Sequence, residues 1–285
     1  MSRLYEILSN PDLDSPVLVV ALDGWIDAGY GAATALSTIN ERSEMETVAT
    51  FDTDILLDHR ARRPTMHLHD GVNTGLTWPV LELRATTDRD GDDVLFLIGA
   101  EPDHSWRAFS SAVTDLALEF GARLVTSLGA YPAPVPHTRP TRIVATASTT
   151  ELAELVGFIP GHIDVPAGVS AAIERRCLDV GLPAVGLWAQ VPHYASAMPY
   201  PGAAAALIDA LDQAAGLSFP SGDLLDEAAK TRGRLDELVS NSPEHLDLVH
   251  QLEAQVDAID DGTMTEMSGD ELAAEFEKFL REQGP

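Results

Sequence analysis

Two short basic segments, each ending in or containing proline, are where this chain could hold or move charge. One is His59-Arg60-Ala61-Arg62-Arg63-Pro64 and the other His137-Thr138-Arg139-Pro140-Thr141-Arg142. The planar guanidinium fork matches carboxylates, so either segment suits an anionic small molecule or an acidic partner surface. The simpler account of each is ion pairing with the chain's own acids, or between subunits. Glu101 follows an expected strand, and together with His137 and Arg139 it could serve proton transfer on an anionic substrate. The pair His193-Tyr194, also behind a proline, is the second histidine of interest.

Other motifs stop short of a mechanism. The turn Asp23-Gly24-Trp25-Ile26-Asp27-Ala28-Gly29-Tyr30-Gly31 spaces Gly24 and Gly29 as a phosphate loop would. Tyr30 and Gly31 then stand where lysine and serine or threonine are needed, and Asp23 and Asp27 would repel a phosphate. A tight turn that lets a helix approach the sheet is the better reading, with backbone amides free for a small polar ligand. His67 and His69 form an H-x-H pair, but no third ligand is evident, and a surface loop is expected there. Ser170 lacks the glycine that would complete a nucleophile elbow. Cys177, the single cysteine, reads as inert packing in a helix. No cofactor or metal site is expected.

The 285 residues allow one large domain or two unequal ones. With 45% hydrophobic residues they can bury a sizeable core. The net charge of −27 argues against nucleic acid and against anionic lipid as partners. One cysteine excludes an internal disulfide framework, and a cytoplasmic location is the simplest expectation. Glu6, Asp12 and Asp14 interrupt the N-terminus, so no signal peptide is expected. Residues 180–208 carry no charge but contain four prolines, so strand, loop and helix are expected rather than a membrane span.

Short apolar runs predict strands at 17–22, 47–51, 80–84, 94–98, 124–128, 143–147 and 184–191. Helices are predicted at 29–37, 105–120, 168–180 and 202–215. This alternation implies an α/β layer fold, and the near-continuous apolar run Val17–Leu22 implies a sheet covered on both faces. An α/β core domain over 1–215 is expected, followed by an acidic helical region over 216–285 that holds 17 acidic against 5 basic residues. There Leu246, Val249, Leu252, Val256 and Ile259 trace one helix face. Ser268 with Glu271 forms a capping-box pattern ahead of Leu272, Phe276, Phe279 and Leu280. Tyr131–Pro140 should be a stiff, extended loop.

Taken in order, several segments resemble the proteasome-assembly-chaperone family, in its actinobacterial branch. They are the strand and D-G-W-x-D-A-G turn of Val17–Gly31; Leu97–Asp103 with Trp106 and Phe109; Gly121–Gly129 leading into Val135–Pro140; Gly157–Gly161; and Leu187–Tyr194. The match spans roughly residues 15–215 and extends to the acidic tail, and P-H-T-R-P and V-P-H-Y are its most specific parts. The resemblance implies a three-layer α/β/α sandwich on a mixed sheet, of the phosphorylase/hydrolase-like kind, with a C-terminal helical appendage. It also implies assembly work on proteasome subunits. Relatives dock partly through a C-terminal tail that contains a tyrosine; this chain ends Arg281–Pro285 without it.

The reading is a non-enzymatic protein that acts by protein–protein contact, with itself as homo-oligomer and proteasome subunits as partners. The alternative is a small-anion-binding protein or an enzyme of hydrolase, phosphorylase or ligase type, using loops at the strand ends. Candidate ligand or partner residues are Gly24, Trp25, Asp27, Gly29, Arg60, Arg63, Glu101, Trp106, His137, Arg139, His193 and Tyr194; none is assigned as catalytic.

Overall fold

A computed structural model describes residues 4–24 and 26–261. Trp25, the capping-box segment at 268–280 and the chain end lie outside the described residues. In chain order the elements are β1 (Tyr5–Ile7), β2 (Val17–Asp23), α1 (Gly31–Asn40), β3 (Glu46–Phe51), α2 (Thr53–Leu56), β4 (Thr65–His69), β5 (Val72–Thr77), β6 (Leu81–Thr87), β7 (Asp93–Ala100), α3 (Trp106–Glu119), β8 (Leu124–Ala133), β9 (Ile143–Ala147), α4 (Thr150–Val156), α5 (Val169–Val180), β10 (Ala184–Pro192), α6 (Pro201–Ala215), α7 (Leu224–Ser240) and α8 (Pro243–Asp260). Eight strands form one mixed sheet in the order β1-β3-β6-β7-β2-β8-β10-β9, and β4 with β5 forms a separate two-stranded hairpin. The chain is thus α/β, as its alternating pattern implied, and its sheet is mixed, as the family resemblance implied.

Two compact units divide the chain. The first combines residues 1–25, 43–127 and 167–184. Within it β2 runs parallel to β7, with Leu22 opposite Gly99 and Asp23 opposite Ala100, so both strands deliver their following loops to one carboxyl edge. All of Val17–Ala21 is buried, which a strand achieves only when both its faces are covered. On one face Leu18, Val20, Leu95 and Leu97 meet Phe109, Val113 and Leu116 of α3 and Ile173 and Cys177 of α5. Cys177 is fully buried in this cluster, as its helical packing position implied, and burial pushes its thiol up to about 12.

The second unit combines residues 26–42, 128–166 and 185–285. Here β9 pairs antiparallel with β10. The alanines of α6 (Ala203, Ala204, Ala205) are almost completely buried, and their small size lets α1 pack closely against it. Helix α7 packs on α6, and α8 on α7. The predicted stripe of α8 faces inward, with Val249, Leu252 and Val256 buried and Pro243 in its first turn.

Three expectations need correction. The surface loop expected around His67 and His69 is the β4–β5 hairpin, in which Met66 pairs with Leu76. Its turn is Asp70-Gly71, both with positive φ, and such a dipeptide between apolar residues is itself a hairpin signal. Strand β8 runs on to Ala133 rather than ending near Gly129, because proline tolerates extended backbone wherever its nitrogen has no ladder bond to make. Helix α1 begins at Gly31, not Gly29, because Gly29 sits at φ 63.

Candidate functional site

The turn after β2 is closed by the chain's own carboxylate. In the second unit Asp27 accepts the backbone N–H of Ala32 through Oδ1 at 2.8 Å and that of Ala33 through Oδ2 at 3.0 Å. The first amides of α1, where a phosphate would bind, are therefore already satisfied. Gly29 donates its N–H to the Ser196 carbonyl at 2.7 Å. A Cβ built on Gly29 would stand 2.6 Å from that of Tyr200, so its glycine is required by space as well as by φ.

The first unit repeats the device. Glu101, 8% exposed, accepts the Val169 N–H at 2.6 Å and so occupies the N-terminus of α5. Gly24 lies beside it, close to the guanidinium of Arg62, which is ion-paired with Asp103. Burial raises the Glu101 carboxyl above the ordinary carboxylate range, against the pull of the Val169 N–H and Arg62. Burial likewise raises Asp23, opposed by Arg62. Asp103 goes the other way: its burial is outweighed by the hydrogen bonds from Arg62 and the Asp58 N–H. Trp106, half-buried at the start of α3, donates its indole N–H to the Pro102 carbonyl at 2.5 Å and so braces this loop. Arg60 and Arg63 are exposed near the foot of the hairpin, where His59 meets Trp78 edge-on at 5.0 Å.

The most densely connected cluster is in the second unit. Tyr194 lies between the two candidate histidines, 5.8 Å from the His137 ring and 5.3 Å from that of His193, both edge-on. Its hydroxyl accepts the His137 backbone N–H at 2.9 Å and stands 2.7 Å from His137 Nδ1. Donating there, it leaves Nε2 to donate to Asp236 Oδ1 of α7 at 3.1 Å. The His137 side chain is 1% exposed, and its burial lowers its affinity for a proton despite Asp236. Burial pushes the Tyr194 hydroxyl up to about 12.

The rest of this loop is held by α8. Arg139 donates from Nε and Nη2 to the two carboxylate oxygens of Asp257 at 2.7 and 2.6 Å, and from Nη1 to Glu253 at 3.1 Å. Thr138 donates to Glu253 at 2.6 Å, and Arg142 pairs with Asp260. The cluster's cations are thus ion-paired internally. His137 answers to Asp236 rather than to Arg139, so the Glu101–His137–Arg139 proton-transfer group has each member committed within its own unit. The acidic partners were invisible as such in the sequence, although Glu253, Asp257 and Asp260 at i, i+4 and i+7 share one helix face.

Among the described residues no group of three or more metal-ligating side chains occurs, and no helix is long and apolar enough to cross a membrane. A mixed sheet carrying such self-capped loops makes this an α/β protein of a recognisable class. Residues 21–239 match the model of the PAC2 family, and the chain belongs to that family. It is similar to a Mycobacterium tuberculosis protein of unknown function, with 37% identity over 100% of this chain and 98% of that one and a TM-score of 0.84. It is also similar to a PAC2 family protein from Streptomyces avermitilis, with 33% identity over 82% of this chain and 99% of that one and a TM-score of 0.73. A proteasome-assembly chaperone homologue from M. tuberculosis shares 29% identity over 82% and 99% of the two chains, with a TM-score of 0.74. No curated protein matches.

Proposed function

We propose that this chain is a non-enzymatic, cytoplasmic protein that works by protein–protein contact, self-associating through the β4–β5 hairpin and serving proteasome assembly. The carrying observation is the hairpin: every residue of β4 and β5 is exposed, including Met66, Leu68, Val72 and Leu76. A lone two-stranded hairpin is marginal in water, and apolar side chains along it gain stability only when something covers them. A second copy fits by charge. Residues 59–78 carry three arginines against one aspartate, while the chain as a whole is at −27.

The self-capped helix N-termini of α1 and α5 and the fully bonded His137 support the non-enzymatic reading, since these groups already have protein partners. Proteasome subunits enter as partners on family membership and on the M. tuberculosis relative described as a proteasome-assembly chaperone homologue.

The test is light scattering in moderate salt, where repulsion between acidic chains is screened. The wild type is expected to be oligomeric at micromolar concentration. Met66→Asp with Leu76→Asp, two side chains paired across the hairpin, is expected to weaken association at least a hundredfold. A wild-type monomer, or a double variant that associates as before, overturns self-association through the hairpin. A hydrolase, phosphorylase and ligase screen is expected to show no turnover that His137→Ala and His193→Ala both abolish; such a turnover would favour an enzyme.

A further inference from the structure

We infer that the loop Pro136–Arg142 is a receptor for a row of carboxylates on a helix, and that the acidic face of α8 is its resident, exchangeable ligand, which a partner protein's acidic helix would replace. The inference goes beyond self-association, and it stands whether or not the hairpin mediates that contact.

The first argument is the match of spacing. Glu253, Asp257 and Asp260 fall on one face of α8, and they meet Thr138, Arg139 and Arg142 in the same order along the loop. The Arg139–Asp257 contact is bidentate, the geometry in which a guanidinium recognises a carboxylate by shape as well as charge.

The second is that the receptor is built without its ligand. Pro134, Pro136 and Pro140 stiffen the segment, and Tyr194 pins the backbone N–H and Nδ1 of His137 from outside α8. A loop held this way keeps its backbone placed when α8 leaves, so a replacement helix has only the arginine side chains to order.

The third is that α8 is weakly retained. Of its 18 residues only Val249, Leu252 and Val256 are buried, and the helix it packs on is α7, itself a surface element. Its carboxylates are part-exposed, at 23% for Glu253, 50% for Asp257 and 62% for Asp260. Such ion pairs contribute little net stability, so exchanging one acidic helix for another is close to neutral, and the element belongs to the locally unfolding end of the structure.

The experiment uses the full chain carrying Glu253→Gln, Asp257→Asn and Asp260→Asn, and a fluorescent peptide of residues 243–261 as probe. The expected result is peptide binding at least tenfold tighter than to the wild type, weakened as salt rises, and lost when Arg139→Ala and Arg142→Ala are added. A peptide bearing the same three neutral substitutions is expected to bind at least tenfold more weakly, which separates carboxylate recognition from apolar packing against α7. Equal binding of the two peptides, or binding indifferent to Arg139 and Arg142, overturns the inference.

Should the triple variant fail to fold, hydrogen exchange on the wild type gives the same answer. Amides of 252–259 are expected to exchange faster as millimolar acidic peptide is added, and no change with the acidic peptide, or the same change with the neutral one, overturns it. Both readouts are independent of oligomeric state, so their failure and that of the hairpin reading are distinguishable.

Discussion

Gly99→Ala is expected to destabilise the first unit by about 3 kcal/mol, from positive-φ strain together with overpacking. Gly99 has φ +121, and a Cβ there would lie 2.1 Å from the Val80 carbonyl oxygen and 2.9 Å from the Leu81 Cα. Both contacts are backbone, so no side-chain rotation relieves them. The strain falls where β6 meets β7, with Leu81 opposite Gly99, immediately before the loop that carries Glu101. Gly91→Ala is the control, because Gly91 has φ +94 but nothing within 4 Å of its would-be Cβ. Denaturant unfolding of both variants checks the point. The Gly99 variant should lose clearly more than the Gly91 variant, and equal losses would mean that the close approach contributes nothing.

Acidification is expected to loosen α7 and α8 before it loosens the N-terminus of α5. The groups facing His137 are Tyr194, Asp236 and Arg232 of α7, and Glu253 of α8; burial dominates and lowers its pKa below the ordinary 6.5. An unfolded histidine then takes up protons more readily than the folded one. The contribution of His137 is therefore fully present above about pH 6.5 and is lost as pH falls through its lower folded value. Asp257, held below the usual carboxylate range by its hydrogen bonds from Arg139, acts in the same direction: its contribution is present above about 3.8 and lost on further acidification.

Glu101 acts oppositely. Its pKa is raised by burial, so protonation relieves a buried charge, and the first unit gains relative stability as pH falls through that raised value. Hydrogen exchange corrected for its intrinsic pH dependence should show α8 amides opening in a first step below pH 6.5. His137→Gln should abolish that step, and its persistence in the variant would assign it to another group.

What was legible in the sequence follows from local physics. Val17–Ala21 could be read as a strand buried on both faces because apolar residues occupy successive positions, and the α8 stripe because its spacing returns every 3.6 residues. The near misses are of the same local kind. Asp70-Gly71 marks the turn of a hairpin in place of the expected surface loop, and α1 starts two residues beyond Gly29. The candidates Gly24, Asp27, Gly29, Glu101, His137, Arg139, His193 and Tyr194 could be chosen because their types and turns carry chemistry.

Their partners could not, because side-chain pairing depends on chain folding over long separations. Arg139 meets Asp257 across 118 residues and Glu101 meets Val169 across 68. Among 45 acidic residues, sequence offers no means of choosing which few will face a given arginine. The sequence determined an acidic α/β chain with a basic, proline-stiffened loop and an acidic helix. Only the tertiary structure decided that the loop and helix bind one another, because the two are brought together by the packing of α6, α7 and α8 and by no short-range preference of either segment.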